Sequence, residues 1–208
     1  MRYMSLFITF EGGEGCGKST QTKLLYQRLK GLAIPTLLIH EPGVTTLGEK
    51  ITRLLKWSQD IKITPLAELL LFNVSRAQLV KEVIKPALKK SAVVICDRYA
   101  DSTMAYQGYG RELDLSIVKA ANNIGTQGLT PDLTILLYIA AEEGMARKKG
   151  TKPDRLEKES LAFHKRVRAG YIKMARAEPK RWLVIDAIQS KKAIAEIIWQ
   201  RVSKLLPR

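Results

Sequence analysis

The chain has 208 residues, 46% of them hydrophobic, and it carries 35 Lys and Arg against 20 Asp and Glu, which gives a formal net charge of +15 at pH 7. This length and apolar content are typical of an α/β domain with its own core, and they predict a single domain over residues 1–208. No apolar run approaches the roughly 18 residues of a membrane span, the first residues lack the apolar core of a signal peptide, and the two cysteines show no zinc spacing, so we expect a cytoplasmic protein without membrane contacts or metal clusters.

Short apolar and β-branched runs alternate with segments of helical periodicity along the chain. This alternation is typical of a parallel sheet with helices on both faces, so we predict an α/β three-layer sandwich with a five-stranded parallel sheet. The predicted strands are Leu6–Phe10, Thr36–Ile39, Ala92–Cys96, Leu133–Ile139 and Trp182–Ile185. The predicted helices are residues 18–31, 47–57, 64–89, 114–125, 141–149, 156–177 and 190–205.

A glycine-rich loop lies between the first predicted strand and the first predicted helix. Residues 12–19 read Gly-Gly-Glu-Gly-Cys-Gly-Lys-Ser and match G-x-x-x-x-G-K-[ST], the pattern of a loop that wraps nucleotide phosphates. Its glycines let backbone N–H groups point at an anion, Lys18 adds positive charge, and Ser19 offers a hydroxyl to Mg²⁺. The predicted nucleotide-binding residues are Gly12, Gly13, Glu14, Gly15, Cys16, Gly17, Lys18, Ser19 and Thr20.

Asp97 and Arg98 follow the third predicted strand, at the edge of the sheet where ligands of such folds bind. Asp97 is the best candidate to share a magnesium ion with Ser19, and a helix cap is its alternative role. Arg98 would point the other way from an extended chain and grip a second phosphate.

Residues 148–154 interrupt two helical patterns with Gly, Pro and charge, which predicts an exposed loop and a mobile lid over about residues 147–156. Thr151-Lys-Pro-Asp154 matches the guanine-reading pattern of GTPases. No buried strand precedes it, however, and the chain has no D-x-x-G switch motif, so we disfavour a regulatory GTPase.

The motifs along nearly the whole chain resemble those of bacterial-type thymidylate kinase. They are Phe10-Glu-Gly-Gly-Glu-Gly-Cys-Gly-Lys-Ser-Thr20, Glu41-Pro-Gly43, Leu47-Gly-Glu-Lys-Ile51, Arg76-Ala-Gln-Leu-Val80, Ile84-Lys-Pro-Ala-Leu88, Asp97-Arg-Tyr99, Ser102-Thr103, Ala105-Tyr-Gln-Gly108, Pro131-Asp-Leu133, Asp154-Arg-Leu-Glu157 and Ile185-Asp-Ala187. The resemblance implies a P-loop fold of the nucleoside monophosphate kinase type. It also implies phosphoryl transfer from ATP to dTMP with Mg²⁺, in dTTP biosynthesis, by a homodimer with basic residues in its lid.

The resemblance also implies roles for individual residues. Phe72 and Arg76 lie four residues apart on one helix face, where a ring can stack on thymine and a guanidinium can bond a thymine carbonyl; a core role is the alternative for Phe72. Glu14 would approach the 3′-hydroxyl of the acceptor sugar, and Tyr106 would crowd a 2′-hydroxyl. The implied substrate-binding residues are Glu14, Phe72, Arg76, Arg98, Thr103, Tyr106 and Gln107.

Gly15 follows Glu14 where one type in the family carries an arginine, so we expect the lid to supply the missing charge. Arg155 fits the family's lid pattern and is the expected main contact to the transferring phosphoryl group. The available lid cations are Arg147, Lys148, Lys149, Lys152 and Arg155. The predicted catalytic residues are Lys18, Arg98 and Arg155.

Two departures from the family pattern leave alternatives open. His40 and Thr52 stand where the family commonly carries arginines, and an arginine at position 52 would help to hold the acceptor phosphate. Arg53 could replace it, Arg98 could act alone, or acceptor affinity could be weak.

Two other functions are rivals. One is a monophosphate kinase with dUMP, CMP or AMP as acceptor. The other is a nucleic-acid-binding ATPase, which the net charge favours; we expect no nucleic-acid partner, because the chain lacks a platform of interleaved aromatic and basic residues.

Overall fold

Five strands form one all-parallel sheet in the computed structural model, which describes residues 5–58, 61–90, 92–148, 150 and 153–206. Their order across the sheet is β2-β3-β1-β4-β5. The strands are β1 (Leu6–Glu11), β2 (Thr36–His40), β3 (Val93–Asp97), β4 (Leu133–Tyr138) and β5 (Trp182–Asp186). All five lie where the apolar runs predicted them, and each boundary agrees to within a residue.

Helices connect the strands and cover the sheet. They are α1 (Lys18–Gly31), α2 (Thr46–Trp57), α3 (Pro65–Leu79), α4 (Lys85–Lys89), α5 (Ala100–Thr103), α6 (Leu115–Thr126), α7 (Ala141–Arg147), α8 (Leu161–Ala177) and α9 (Lys191–Val202). The helix predicted over 64–89 is continuous, with a π-helical segment at Val80–Ile84 between α3 and α4. The sequence pattern missed α5 and the π-helical segment Met104–Gly110 that follows it. Among the described residues, no helix is both long and apolar enough to span a bilayer.

The helix predicted to begin at residue 156 begins instead at Leu161. A turn precedes it, because Oδ1 of Asp154 accepts hydrogen bonds from the backbone N–H groups of Leu156 and Glu157, both at 3.0 Å. Ser160 then caps α8, with its Oγ accepting from the N–H of Phe163. The predictions over 141–149 and 190–205 were also too long, since α7 ends at Arg147 and α9 at Val202.

The central strand β1 is buried along its whole length, and its side chains alternate between two hydrophobic clusters. Ile8 and Phe10 pack with apolar residues of α1 and α9 on one face of the sheet. Phe7 packs with Leu79 of α3 on the other face. Helices therefore cover both faces, as the three-layer prediction requires.

The parallel register places the functional loops side by side. Phe10 of β1 is paired with Asp97 of β3, and the N–H of Arg98 donates to the carbonyl of Phe10 at 3.0 Å. The loop that leaves β1 therefore lies directly beside the residues that leave β3.

Val44, in the loop between β2 and α2, has a φ of 70°, in the left-handed region. A β-branched side chain is strained there, by roughly 1–2 kcal/mol. We expect Val44→Gly to stabilise the fold by about 0.5–1 kcal/mol, because relief of this strain exceeds the added entropy of glycine in the unfolded chain. Thermal unfolding should show a Tm raised by about 1–4 °C.

Val44→Ala is the matched control, because alanine keeps the Cβ atom and most of the strain. It should raise Tm by less than Val44→Gly does. A lower Tm for Val44→Gly than for the wild type would show that contacts of the valine side chain stabilise the fold by more than the strained backbone destabilises it.

Candidate active site

A cavity of about 410 Å³ opens at the carboxyl ends of β1 and β3. Predicted site residues that line it are Glu14, Gly15, Cys16, Gly17, Lys18, Ser19, Thr20, Phe72, Arg76, Asp97, Arg98, Thr103, Tyr106 and Gln107. Gly12, Gly13 and Arg155 are outside this lining among the residues that the structure describes. The fold thus gathers residues from both halves of the chain around one space.

The glycine-rich loop between β1 and α1 needs glycine at two close approaches. Gly12 has a φ of 139°, and a Cβ there would lie 2.4 Å from the carbonyl oxygen of Leu137. Gly15 has a φ of 65°, and a Cβ there would lie 2.1 Å from the carbonyl oxygen of Gly144. The close packing of α7 against the loop therefore leaves no space for an arginine at position 15.

Lys18 folds back over this loop. Its ammonium donates to the carbonyls of Gly12, at 3.0 Å, and Gly13, at 2.8 Å, and also contacts Sγ of Cys16 at 3.4 Å. These bonds hold the positive charge within the loop, next to the N-terminus of α1. Both the charge and the helix terminus favour an anion in the cavity.

Ser19 and Asp97 meet at the cavity wall, where Oγ of Ser19 donates to Oδ2 of Asp97 at 2.6 Å. The alternative role of Asp97 as a helix cap is not seen, because α5 is preceded by Tyr99 and has no side-chain cap. A hydroxyl and a carboxylate are oxygen ligands of the kind that Mg²⁺ prefers. The pair fits the predicted magnesium site.

Arg98 does not continue in the extended conformation that the sequence suggested. Its φ is 71°, so the chain turns sharply after β3 and directs the guanidinium toward the glycine-rich loop. There it donates to the carbonyl of Gly12 at 3.1 Å, to Oγ of Ser102 at 3.3 Å and to Oε1 of Glu14 at 2.6 Å. The expectation of an extended backbone at Arg98 was wrong for this reason, and its role as a phosphate contact stays a prediction.

Glu14 lies at the centre of a charged cluster. Its Oε1 also accepts from the Tyr106 hydroxyl at 2.8 Å, and its Oε2 pairs with Nζ of Lys148 at 3.2 Å. Burial raises the pKa of this carboxyl, but Arg98, Lys18, Lys148 and the Tyr106 hydrogen bond outweigh burial and hold the pKa well below its usual value. These contacts therefore favour the ionised form of Glu14 at neutral pH.

Another wall of the cavity is a buried polar network around Arg76, which is 1% exposed. Its guanidinium pairs with Glu41 and donates to Oγ1 of Thr103 at 2.7 Å and to Oδ1 of Asn122 at 2.7 Å. Nε of Arg76 is buried with no hydrogen-bond partner among the described residues. Phe72 beside it is 8% exposed and belongs both to a hydrophobic cluster and to the cavity lining, so its position suits a core role and leaves base stacking as a prediction.

Gln107 completes this wall, with its Nε2 donating to Oε1 of Glu68 at 2.8 Å. The carboxylate of Glu68 is also paired with Arg111 at 3.2 Å and with Arg155 at 2.6 Å. These contacts fix the orientation of the Gln107 amide.

Lys148, rather than Arg155, extends from the predicted lid to the glycine-rich loop, bridging Glu14 and Glu157. Arg155 faces α2 and α3, where it pairs with Glu68 and its Nε donates to the carbonyl of Leu55 at 2.8 Å. Arg147 donates to the carbonyl of Ala187 at 3.0 Å. The other predicted lid cations, Lys149 and Lys152, lie outside the described residues.

Glu11 and Glu41 occur in the sequence motifs, but the motifs gave neither residue a role. Glu11 is fully buried and accepts hydrogen bonds from the N–H of Tyr99 and the hydroxyls of Ser102 and Tyr171. Burial and the nearby Asp101 raise its pKa from 4.5 to about 7, so the folded state binds a proton over this range that the unfolded state does not. The contribution of Glu11 to stability therefore falls as the pH rises from 4.5 to 7.

A search of protein families matches residues 10–198 to the thymidylate kinase model. The chain belongs to the thymidylate kinase family. It is 57% identical to a thymidylate kinase of Dehalococcoides mccartyi over 203 residues, with 98% of each chain covered. It is 48% identical to one from a Roseiflexus species over 208 residues, with 94% of this chain and 92% of the relative covered.

The family's fold is also present. The crystal structure of thymidylate kinase from Ehrlichia chaffeensis matches this chain with a TM-score of 0.78 at 32% sequence identity, covering 95% of this chain and 98% of that one. With the five-stranded parallel sheet, this match confirms the predicted P-loop fold of the nucleoside monophosphate kinase type.

Proposed function

We propose that this protein transfers the γ-phosphoryl group of ATP to dTMP, giving ADP and dTDP, as a step of dTTP biosynthesis in the cytoplasm. The observation that carries the proposal is one cavity with two unlike ends. The glycine-rich loop and Lys18 form an anion-binding end, and the ring of Phe72 and the guanidinium of Arg76 form an end suited to a base. Glu14 and Arg98 join the two ends through their ion pair. The names of the relatives agree with this assignment.

The reaction needs no general base. The second pKa of a phosphate monoester is about 6, so the attacking oxygen of dTMP is mostly ionised at pH 7. The protein has to align the two phosphates and neutralise the charge that develops on the transferred group. Lys18, Arg98 and Lys148 are the described cations placed to do so, and Lys148 takes the role that the lid pattern had suggested for Arg155.

Ser19 and Asp97 would hold Mg²⁺ together with phosphate oxygens and water. The described residues contain no group of three or more His, Cys, Asp and Glu that could hold a metal, which suits an ion that depends on its nucleotide for ligands. When bound, the ion supplies positive charge to the β- and γ-phosphates of ATP. Chelation of Mg²⁺ with EDTA should abolish transfer, and activity that survives EDTA would argue against the site.

Phe72, Arg76 and Gln107, here called the base-reading wall, predict which nucleotide is the best acceptor. A coupled assay of ADP release with dTMP, dUMP, dCMP, dGMP and AMP should give the highest kcat/KM for dTMP, by at least about tenfold, which corresponds to about 1.4 kcal/mol. A pocket closed by Phe72 and by the fixed side chains of Arg76 and Gln107 gives this preference its physical basis. A higher value for another monophosphate would assign the chain to that acceptor instead.

We also propose a homodimer through α3. Leu66, Leu70 and Val74 are spaced four residues apart on one face of this helix and are 49%, 51% and 46% exposed. Ile117 and Ile124 of α6, which packs against α3, are 52% and 76% exposed. A second copy would cover this apolar surface. Light scattering after size-exclusion chromatography should give twice the mass of the chain; a monomer at micromolar concentration would contradict the proposal.

A further inference from the structure

Lys56, in the last turn of α2, is a cavity cation to which no role has been assigned so far. Its side chain is 35% exposed, and its ammonium faces Oδ2 of Asp154 at 3.6 Å. The helix that carries it packs against α3, and Leu55 shares a hydrophobic cluster with Phe72 of the base-reading wall. Lys56 therefore lies on the acceptor side of the cavity.

The contact made by Lys56 is the longest charged contact that the structure gives for a described cation in this cavity. Lys18 is held by two loop carbonyls at 3.0 Å or less, and Arg98 pairs with Glu14 at 2.6 Å. Arg76 is buried with its guanidinium bonded to Thr103 and Asn122. Lys56 would therefore lose fewer contacts on binding an anion than Lys18, Arg98 or Arg76 would.

The remaining side chains of this helix face do not compete for such an anion. Thr52, one turn earlier, turns its hydroxyl back to the carbonyl of Gly48 at 2.8 Å and is outside the cavity lining. Arg53 is exposed and is also outside the cavity lining. Helical side chains lean toward the N-terminus, so the long side chain of Lys56 covers the turn that contains Thr52. Its ammonium can occupy the space beside Thr52.

The partner of Lys56 belongs to the segment that carries the lid. Asp154 is fixed by its Oδ1, which accepts from the N–H groups of Leu156 and Glu157, and only Oδ2 faces Lys56. The next residue, Arg155, binds the C-terminus of α2, because its N–H donates to the carbonyl of Lys56 at 3.2 Å and its Nε to that of Leu55 at 2.8 Å. The end of α2 and the base of the lid therefore form one unit.

We propose that the ammonium of Lys56 binds the phosphate of the acceptor nucleotide and that it gives up its contact with Asp154 when it does so. The inference rests on the proposed function, since it concerns the monophosphate acceptor of that same site. A dianionic phosphate attracts the ammonium more strongly than one carboxylate at 3.6 Å does. Binding of the acceptor then frees the carboxylate at the base of the lid, which couples occupancy of the acceptor site to the position of residues 153–157.

Lys56→Met tests this role by calorimetric titration with dTMP and with thymidine. The Kd for dTMP should rise by about 10- to 100-fold, the range expected for loss of a charged hydrogen bond, while the Kd for thymidine stays within about twofold. Lys50→Met, which removes the same charge from an exposed position of α2 outside the cavity lining, should change neither. Equal changes for dTMP and thymidine would overturn the proposal.

Asp154→Asn separates phosphate binding from a purely structural role. Asparagine keeps the Oδ1 acceptor of the turn but releases Lys56, so dTMP should bind as tightly as to the wild type or more tightly. If Asp154→Asn weakens dTMP binding as much as Lys56→Met does, Lys56 serves only to hold residues 153–157 in place. Lys56→Arg retains the charge and should recover most of the affinity; if Lys56→Met does not fold, failure of the folded Lys56→Arg protein to bind dTMP better than thymidine would also overturn the proposal.

The two proposals can fail separately. If the wild type prefers another monophosphate, the proposed acceptor is wrong, and the same titrations are then made with that monophosphate and its nucleoside. A phosphate-dependent effect of Lys56→Met would still support the role of Lys56.

Discussion

Replacement of Lys18 by methionine is expected to lower kcat by about 10²–10³-fold, the usual cost of removing one group that stabilises charge in a transition state. The ammonium is held inside the glycine-rich loop by the carbonyls of Gly12 and Gly13, next to the N-terminus of α1. It therefore needs little rearrangement to neutralise a transferring phosphoryl group. Methionine has a similar length and no charge, so the loop should keep its shape. A coupled assay at saturating ATP and dTMP measures the loss.

Lys23→Met is the matched control, because Lys23 is on the exposed side of the same helix. It should leave kcat within about twofold of the wild type, since dissolved salt screens the charge of an exposed side chain. If Lys18→Met retains more than about a tenth of the wild-type kcat while thermal unfolding shows an intact fold, the loop does not hold the donor phosphates as proposed.

Replacement of Arg98 by methionine is expected to lower kcat/KM for dTMP by about 10³-fold, the lower range for an arginine that stabilises phosphoryl transfer. The guanidinium lies between the glycine-rich loop and Glu14, with bonds to the carbonyl of Gly12 and the carboxylate of Glu14. It thus contacts the glycine-rich loop and also lies over the ring of Tyr106, at 5.1 Å from the ring centroid. Steady-state kinetics with dTMP varied at saturating ATP measures the effect.

Arg98→Lys distinguishes a planar donor from a simple charge. Lysine keeps the charge but loses the fork that can bond two oxygens, so we expect it to recover less than about a tenth of the lost activity. Glu14 keeps its contacts with Tyr106 and Lys148 in both variants, and the melting temperature shows whether the fold survives. Wild-type kinetics from Arg98→Lys would show that Arg98 acts as a point charge only.

The sequence predicted the features that depend on local pattern and on parallel topology. Apolar runs located all five strands, and the motif at 12–19 located the phosphate loop. The contact between Ser19 and Asp97 joins residues 78 positions apart, yet it was predictable because neighbouring parallel strands end at one edge of the sheet.

Other features depend on tertiary contacts that no local pattern records. The turn at Arg98 follows from a left-handed φ that an arginine rarely adopts, so the backbone is not extended there as the sequence predicted. Arg155 matched a lid motif, but the exposed carbonyls at the end of α2 and the carboxylate of Glu68 attract it instead. The ion pair of Lys56 with Asp154 likewise requires the end of α2 to meet the lid base, which spacing alone does not reveal.

The identity of the products tests most directly whether the donor and acceptor phosphates meet in one cavity. Incubation with ATP, dTMP and Mg²⁺, followed by ³¹P NMR, should show dTDP and ADP forming in equal amounts, with no ADP formed when dTMP is omitted. Release of ADP and inorganic phosphate without dTDP would contradict the account, because it would show an ATPase whose cavity does not deliver the phosphoryl group to an acceptor.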